Sequence, residues 1–207
     1  MYQENEKPSL SDRMRVWLKW AIDPLAKFFD RLGFRPITMT LLGLAGTTVG
    51  GYLISRGFMT WGGILILISV PFDAMDGAIA RLRGEASDWG AFVDSVSDRY
   101  AEVVIHLGLL VYFLDQKNLL ACALVFFSVT GSLLVSYVKA RADSVGFNAN
   151  VGILTRMERY LVLAPALVFH YPIVALWIMA ILTNVTALQR ILKVRSDAHR
   201  RQSKLKE

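Results

Sequence analysis

The amino-acid sequence predicts an all-α integral membrane protein with six transmembrane helices preceded by an amphipathic interfacial helix. Three observations carry that reading. The 207 residues are 54% hydrophobic, too apolar for an ordinary soluble domain and long enough for several spans of about 20 residues. The apolar residues gather into six runs, at 37–54, 61–80, 92–114, 119–138, 152–170 and 173–188. With six spans both termini share one side, and that side receives all of the 23 lysines and arginines except Arg56 and Lys117. By the positive-inside rule it is cytoplasmic, which places both termini on the inner face of the cell's cytoplasmic membrane.

Each element follows from its own pattern. Residues 11–32 set Met14, Trp17, Leu18, Ala21, Ile22, Leu25, Phe28, Phe29 and Leu32 on one helical stripe, with Arg13, Arg15, Lys19, Lys27 and Arg31 largely outside it. Such a helix lies on a membrane, or, more plainly, packs on a partner. Pro24 is expected to kink or divide it. The first 35 residues carry charge throughout and lack a compact apolar core followed by a small-residue cleavage site, so insertion is expected through the mature spans. The first span contains Gly43, Gly46 and Gly50, with the small-xxx-small pair Gly46 and Gly50 inviting a close helix contact, within the chain or in a homodimer. Trp61 and Trp89 near span ends, with Trp17 and Trp20 on the surface helix, fit interfacial anchors. Cys122 sits alone in the run LLACALVFF, so no intrachain disulfide exists and packing is its expected role. The organisation is one membrane domain over 1–207: interfacial segment 1–35, bundle 36–190 and charged tail 191–207.

The formal charge of +6 does not read as nucleic-acid binding, because the basic residues punctuate apolar runs instead of lining a groove with aromatics. The chemistry lies in residues 73–98, DAMDGAIARLRGEASDWGAFVDSVSD. The second span runs inward and the third outward, so both halves of this stretch meet on the cytoplasmic side. Asp73 and Asp76 are three apart and Asp94 and Asp98 four apart, so each pair shares a helical face. Four carboxylates cannot all stay ionised at close range without countercharge, and charge at membrane depth costs roughly 2.5 to 3.5 kcal/mol per group on insertion scales. Oxygen-only ligation favours Mg2+ or Mn2+, four carboxylates have room for two such ions, and magnesium implies a phosphate substrate. Gly77 and Ala80 leave the helix surface small enough for a bulky group to lie against it, beside Arg81, a phosphate-binding cation. Two other readings stand beside this one. A structural salt-bridge cluster would use Arg81, Arg83 and Arg99 as countercharge, and an ion channel or proton-coupled transporter would line a pathway with the aspartates. The transporter does not account for the Asp-Gly and Ala-Arg positions beside the acids, while spacing alone leaves the salt-bridge cluster open.

The pattern formed by Asp73, Asp76, Gly77, Ala80, Arg81, Gly90, Asp94 and Asp98 resembles the CDP-alcohol phosphatidyltransferase signature. Six spans behind an amphipathic helix are similar to that family as well. The resemblance implies transfer of a phosphatidyl group from CDP-diacylglycerol to an alcohol with release of CMP, dependent on divalent metal, probed most directly at the aspartates. Carried over, Asp73, Asp76 and Asp94 are metal ligands, Asp98 completes a second metal site and is the base, and Asp73, Gly77, Ala80, Arg81 and Ser87 contact CDP-diacylglycerol. The family is typically dimeric, so a homodimer in membrane lipid is expected.

A second polar cluster, SYVKARADSVGFNANVGILTRMERY, holds Lys139, Arg141, Arg156 and Arg159 on the inner side. Arg156 and Arg159 form an i, i+3 pair where a span begins, a costly place for charge. SYVKARA with the later RMER resembles the bacterial phosphatidylinositol-phosphate synthases, although Met157 stands in place of a proline and Thr155 in place of a glutamate. That subgroup implies a pocket for the phosphate of inositol 1-phosphate, with Lys139, Arg156 and Arg195 as its candidates. Glycerol 3-phosphate, the acceptor of a phosphatidylglycerophosphate synthase, is the competing small phosphorylated alcohol. His106 follows Asp98 and Glu102 at four-residue steps and is expected to be a hydrogen-bonded packing residue, with Glu102 behind the acids.

Overall fold

The computed structural model describes the backbone of residues 10–204 and the side chains of Trp20 and of residues 22–203. The described residues form seven helices: α1 (Leu10–Arg31), α2 (Pro36–Ser55), α3 (Met59–Arg83), α4 (Asp88–Asp115), α5 (Leu119–Ser144), α6 (Arg156–Val168) and α7 (Pro172–Lys204). Their ends follow local chemistry. Pro36 opens α2, where its missing N–H costs nothing. Gly84 stops α3 in the left-handed region at φ 66, a conformation that favours glycine. The Ser87 hydroxyl then accepts the Gly90 N–H at 3.2 Å to start α4, and Asn118 Oδ1 accepts the Ala121 N–H at 3.0 Å to start α5. These caps make the turn between the two halves of the aspartate motif only four residues long, from Gly84 to Ser87.

Four helices, α2, α3, α5 and α7, are long and apolar enough to cross a membrane. The other two expected spans differ for separate reasons. α4 has 28 residues, about 42 Å of helix, but carries the acids of the motif and beyond. α6 has 13 residues, about 20 Å against roughly 30 Å of hydrocarbon. Its helix starts at Arg156 instead of Gly152 because the lead-in is pinned to α7. Gly152 has φ +129, and a Cβ there would lie 2.3 Å from Thr186 Cγ2, while the Leu154 N–H donates to Thr186 Oγ1 at 3.1 Å.

The surface of the bundle is inverted relative to a soluble protein. Along α4 Phe92, Val96, Tyr100, Val103, Leu107, Val111 and Leu114 are exposed, while Asp98, Glu102 and His106 are buried. Helical spacing thus turns one apolar stripe outward and one charged stripe inward, which suits contact with lipid. Trp61 and Trp89 are exposed, as interfacial anchors are.

The glycines of α2 serve contacts inside the chain. A Cβ on Gly46 would sit 2.1 Å from Ser69 Oγ and one on Gly50 3.0 Å from Ile66 Cγ1, so this stripe faces α3. At the crossing with α4, a Cβ on Gly108 would lie 2.2 Å from the Gly51 carbonyl oxygen. The Gly46 and Gly50 pair thus gives its close approach to α3. α1 continues through Pro24 without division. Its Ala26 is fully buried with Met39, Ala78 and Ile79, flanked by Ile22, Phe29, Phe34 and Phe72, while Trp20, Leu25, Phe28 and Leu32 stay exposed. The predicted stripe is split, half toward the bundle and half outward; Met14, Trp17, Leu18 and Ala21 lie outside the described side chains. Asp30 accepts a 2.5 Å hydrogen bond from Arg83 Nε and fastens α1 to α3. The larger apolar cluster, including Ile54, Ile66, Ile105, Leu109, Phe113, Leu163, Leu167 and Met179, fills the other half of the bundle, with Cys122 partly buried against it. Between the two clusters lies a polar layer.

Candidate active site

The polar layer opens where α2 and α6 begin, α3 ends and α4 begins. Asp73 and Asp76 come from α3 and Asp94 from α4, and one carboxylate oxygen of each lies within 4.8 Å of the other two. The two helical pairs therefore converge as their spacing predicts. Asp98, one turn further along α4, is 6% exposed. Its Oδ1 forms an ion pair with Arg156 Nη2, in a geometry that makes no hydrogen bond. Nη1 of the same guanidinium stands 2.8 Å from Asp73 Oδ2. Arg156 thus links the α3 and α4 halves of the motif, and its guanidinium lies 5.8 Å from the Tyr160 ring centroid.

α2 contributes Thr40, whose hydroxyl donates to Asp76 Oδ2 at 2.5 Å. Pro36 fixes the start of that helix one turn earlier, and the Thr40 hydroxyl also lies 3.4 Å from the Pro36 carbonyl. A narrow crevice runs inward from the acids, lined among others by Thr47, Ser69, Asp73, Asp98, Arg156 and Tyr160. The donors fit a hard divalent ion: they are all oxygen, three of them reach a common centre, and Thr40 orients the Asp76 carboxylate from behind.

The arginines divide their work differently from the salt-bridge alternative. Arg83 pairs with Asp30 at 2.5 Å. Arg99 approaches Asp98 only at 3.6 Å. Arg81 is exposed, and its Nη1 would lie 3.3 Å from a Cβ on Gly77, so glycine at 77 is what lets the guanidinium fold back over the helix beside the acids. Ala80 is half-buried on the same helix, and Ser87 is exposed at the start of α4 with its hydroxyl engaged as the helix cap. Among the three acceptor candidates, Arg156 sits on the carboxylates, whereas Lys139 on α5 and Arg195 on α7 are exposed and pair with no carboxylate among the described residues.

Comparison with known proteins gives the family. Residues 34–190 match the CDP-alcohol phosphatidyltransferase family. The chain belongs to that family. A phosphatidylinositol phosphate synthase of Streptomyces avermitilis is 35% identical, over 93% of this chain and 85% of that protein. The crystal structure of the Mycobacterium tuberculosis phosphatidylinositol phosphate synthase with CDP-DAG bound has a TM-score of 0.78 at 27% identity, covering 84% of this chain and 92% of that one. The same protein in complex with manganese and citrate gives a TM-score of 0.76 at 27% identity, over 84% and 88%. As a CDP-alcohol phosphatidyltransferase, this chain is an enzyme built into the membrane by several apolar helices.

Sequence reasoning missed two residues beside the acids, Thr40 and Tyr160, and one of the surrounding scaffold, Arg190. Thr40 had a signal, a hydroxyl four residues after a helix-opening proline, but nothing in the spacing tied it to Asp76. Tyr160 follows Arg156 by four and lies under its guanidinium. Arg190, 5% exposed, donates from Nε to the Val151 carbonyl at 2.9 Å and from Nη1 to the Val135 carbonyl at 2.6 Å. It fastens α7 to α5 and to the segment leading into α6.

Proposed function

We propose that the chain is a phosphatidylinositol-phosphate synthase, transferring the phosphatidyl group of CDP-diacylglycerol to the hydroxyl of inositol 1-phosphate with release of CMP. The observation that carries this reading is Arg156: a two-pronged phosphate-binding group held against Asp73 and Asp98, beside the carboxylate that would take the acceptor's proton. The relatives named phosphatidylinositol phosphate synthase support it.

In this reading Asp73, Asp76 and Asp94 hold one Mg2+ or Mn2+ ion and Asp98 completes a site for a second; the manganese complex of the mycobacterial protein supports the choice of ion. When bound, the ions supply positive charge to the diphosphate and to the departing phosphate of CMP. The residues of the chain supply position and proton transfer. Gly77 and Ala80 offer a low surface for the CDP moiety, Arg81 pairs with its phosphates, and Asp73 and Ser87 complete the contact. Lys139, Arg156 and Arg195 hold the acceptor phosphate, which leaves its free hydroxyl facing Asp98. Asp98 takes the hydroxyl proton as that oxygen attacks the β-phosphorus. The new P–O bond forms, the bond to the bridging oxygen breaks, and CMP leaves with the electron pair.

The finer topology belongs to the same proposal. α4 crosses with its acids turned inward, α6 completes a sixth pass with its lead-in, and α1 lies at the membrane surface of a single domain over 1–207. The site and both termini face the cytoplasm, with Arg56 and Lys117 on the opposite side. The test is a competition of inositol 1-phosphate, glycerol 3-phosphate, free inositol and serine as acceptors in detergent, with products identified by mass spectrometry. Turnover of inositol 1-phosphate is the expected result, and turnover with glycerol 3-phosphate alone overturns the acceptor. Ion flux through liposomes without CMP release overturns the enzymatic reading.

A further inference from the structure

The main helix contacts of α6 are with α3 and α7, and those of α4 are with α2 and α5. Between α4 and α6 themselves the polar contacts are made by two arginines of α6. Arg156 reaches Asp98, and Arg159, about 4.5 Å further along the axis, reaches Glu102. Arg159 Nε donates to Glu102 Oε1 at 2.8 Å, and Nη2 donates to the same oxygen. This second contact is sealed from solvent, with Arg159 3% and Glu102 5% exposed.

The arginine of the pair is anchored on its own side, whereas Oε2 of the Glu102 carboxylate makes no hydrogen bond. On α6, Arg159 Nη1 donates to the Leu154 carbonyl just before the helix, at 3.5 Å. On α4, the Glu102 carbonyl accepts from His106 Nδ1 at 2.7 Å. A carbonyl only accepts, so Nδ1 carries the proton. His106 Nε2 is then left to Ser128 Oγ of α5 at 2.8 Å. One polar contact thus joins α6 to α4 at Glu102, and another, one turn further along, joins α4 to α5 at His106. Beside the first lies a small cavity bounded by Glu102, Ile105, His106, Arg159, Tyr160 and Leu163 with Met179, so the ion pair sits at the edge of the apolar cluster that Ile105, Tyr160 and Leu163 share.

Arg156 and Arg159 stand three apart on one short helix, separated by about 60° around the axis, so the rotation that seats one seats the other. We infer that Glu102 and Arg159 are a positioning pair for catalysis: their contact sets the depth and rotation of α6 and thereby holds the Arg156 guanidinium at Asp73 and Asp98. The inference rests on the proposed role of Arg156 in holding the acceptor phosphate.

The test is the double replacement Glu102→Leu with Arg159→Met, made in the full-length enzyme, because an apolar pair of similar volume commonly substitutes for a buried ion pair without loss of stability. Glu102→Gln and Arg159→Lys serve as milder variants if the double replacement does not fold. Acceptor KM is expected to rise about tenfold or more while the KM for CDP-diacylglycerol stays within about twofold and the melting temperature in detergent does not fall. The same replacement in an Arg156→Met background is expected to add less than about twofold, the signature of action through Arg156. An unchanged acceptor KM, or equal effects in both backgrounds, overturns the inference. Should Arg156→Met alone leave acceptor KM unchanged, it is the acceptor assignment that fails, and the same cycle is read on whichever kinetic constant Arg156→Met does change.

Discussion

The two arginine–carboxylate contacts between α4 and α6 use the same residue types about one turn apart, yet they differ in charge and in closure. At the upper one, four aspartates meet one bridging guanidinium, with Arg99 at a distance, and Asp73 remains 22% exposed. At the lower one, a single glutamate meets a single arginine and both are sealed. Balanced charge at membrane depth needs nothing further. Surplus carboxylate does, and a site left with more negative charge than its own arginines neutralise is equipped to recruit cations and, through them, phosphate. We read the upper contact as a working layer, to which α3 also contributes, and the lower as an architectural one between α4 and α6.

The largest effects should break the upper layer alone. Chelation of divalent ions should abolish CMP release, with recovery on adding Mg2+ or Mn2+; activity that survives exhaustive chelation would remove the surplus-charge argument. Asp98→Asn should lower turnover about a thousandfold, within the range for loss of a general base, while CDP-diacylglycerol still binds and the protein stays folded. Full turnover in that variant would make the upper contact as architectural as the lower. Next in size is Arg156→Met. Loss of charge-assisted hydrogen bonds worth about 1.5–3 kcal/mol predicts a rise in acceptor KM of about 10- to 150-fold. Arg156→Lys should fall between, because an ammonium keeps the charge and loses the two-pronged geometry.

How much of this was legible in the sequence differs between the layers for a physical reason. The four aspartates were legible because i, i+3 and i, i+4 spacing on two consecutive helices fixes their faces, and a four-residue turn forces those faces together. His106 was legible as a packing residue for the same reason, and it is hydrogen-bonded as expected. Arg156 was visible as a costly charge at a helix start, but its arrival at Asp73 and Asp98 depends on how α6 docks. That docking is set by Gly152, Leu154 and Thr186, contacts between segments 32 residues apart and more in the chain. The partnership of Arg159 with Glu102, 57 residues away, is likewise tertiary. The length of α6 was overestimated because hydropathy does not register a lead-in held by side-chain hydrogen bonds to a neighbouring helix. Acceptor candidates Lys139 and Arg195 came from the subgroup resemblance and their charge, with nothing in the spacing to place them, and the structure leaves them exposed.

The smallest predicted effect sharpens the comparison from the opposite direction, by removing a neutral group from the charged layer. Thr40 carries no charge, so Thr40→Val changes neither the surplus of carboxylate nor the Arg156 bridge. It removes only the 2.5 Å hydrogen bond that orients Asp76. If the upper layer is a cation site, that orientation matters to metal affinity before it matters to folding, and loss of such a supporting hydrogen bond typically weakens binding by about 10-fold or somewhat more. Titration of Mn2+ into detergent-solubilised enzyme, read from the electron paramagnetic resonance signal of the free ion, should show this weakening in Thr40→Val and near-normal binding in Thr40→Ser, which restores the donor. Unchanged Mn2+ binding in Thr40→Val would mean that the hydroxyl serves helix packing, and that α2 contributes architecture alone to the working layer.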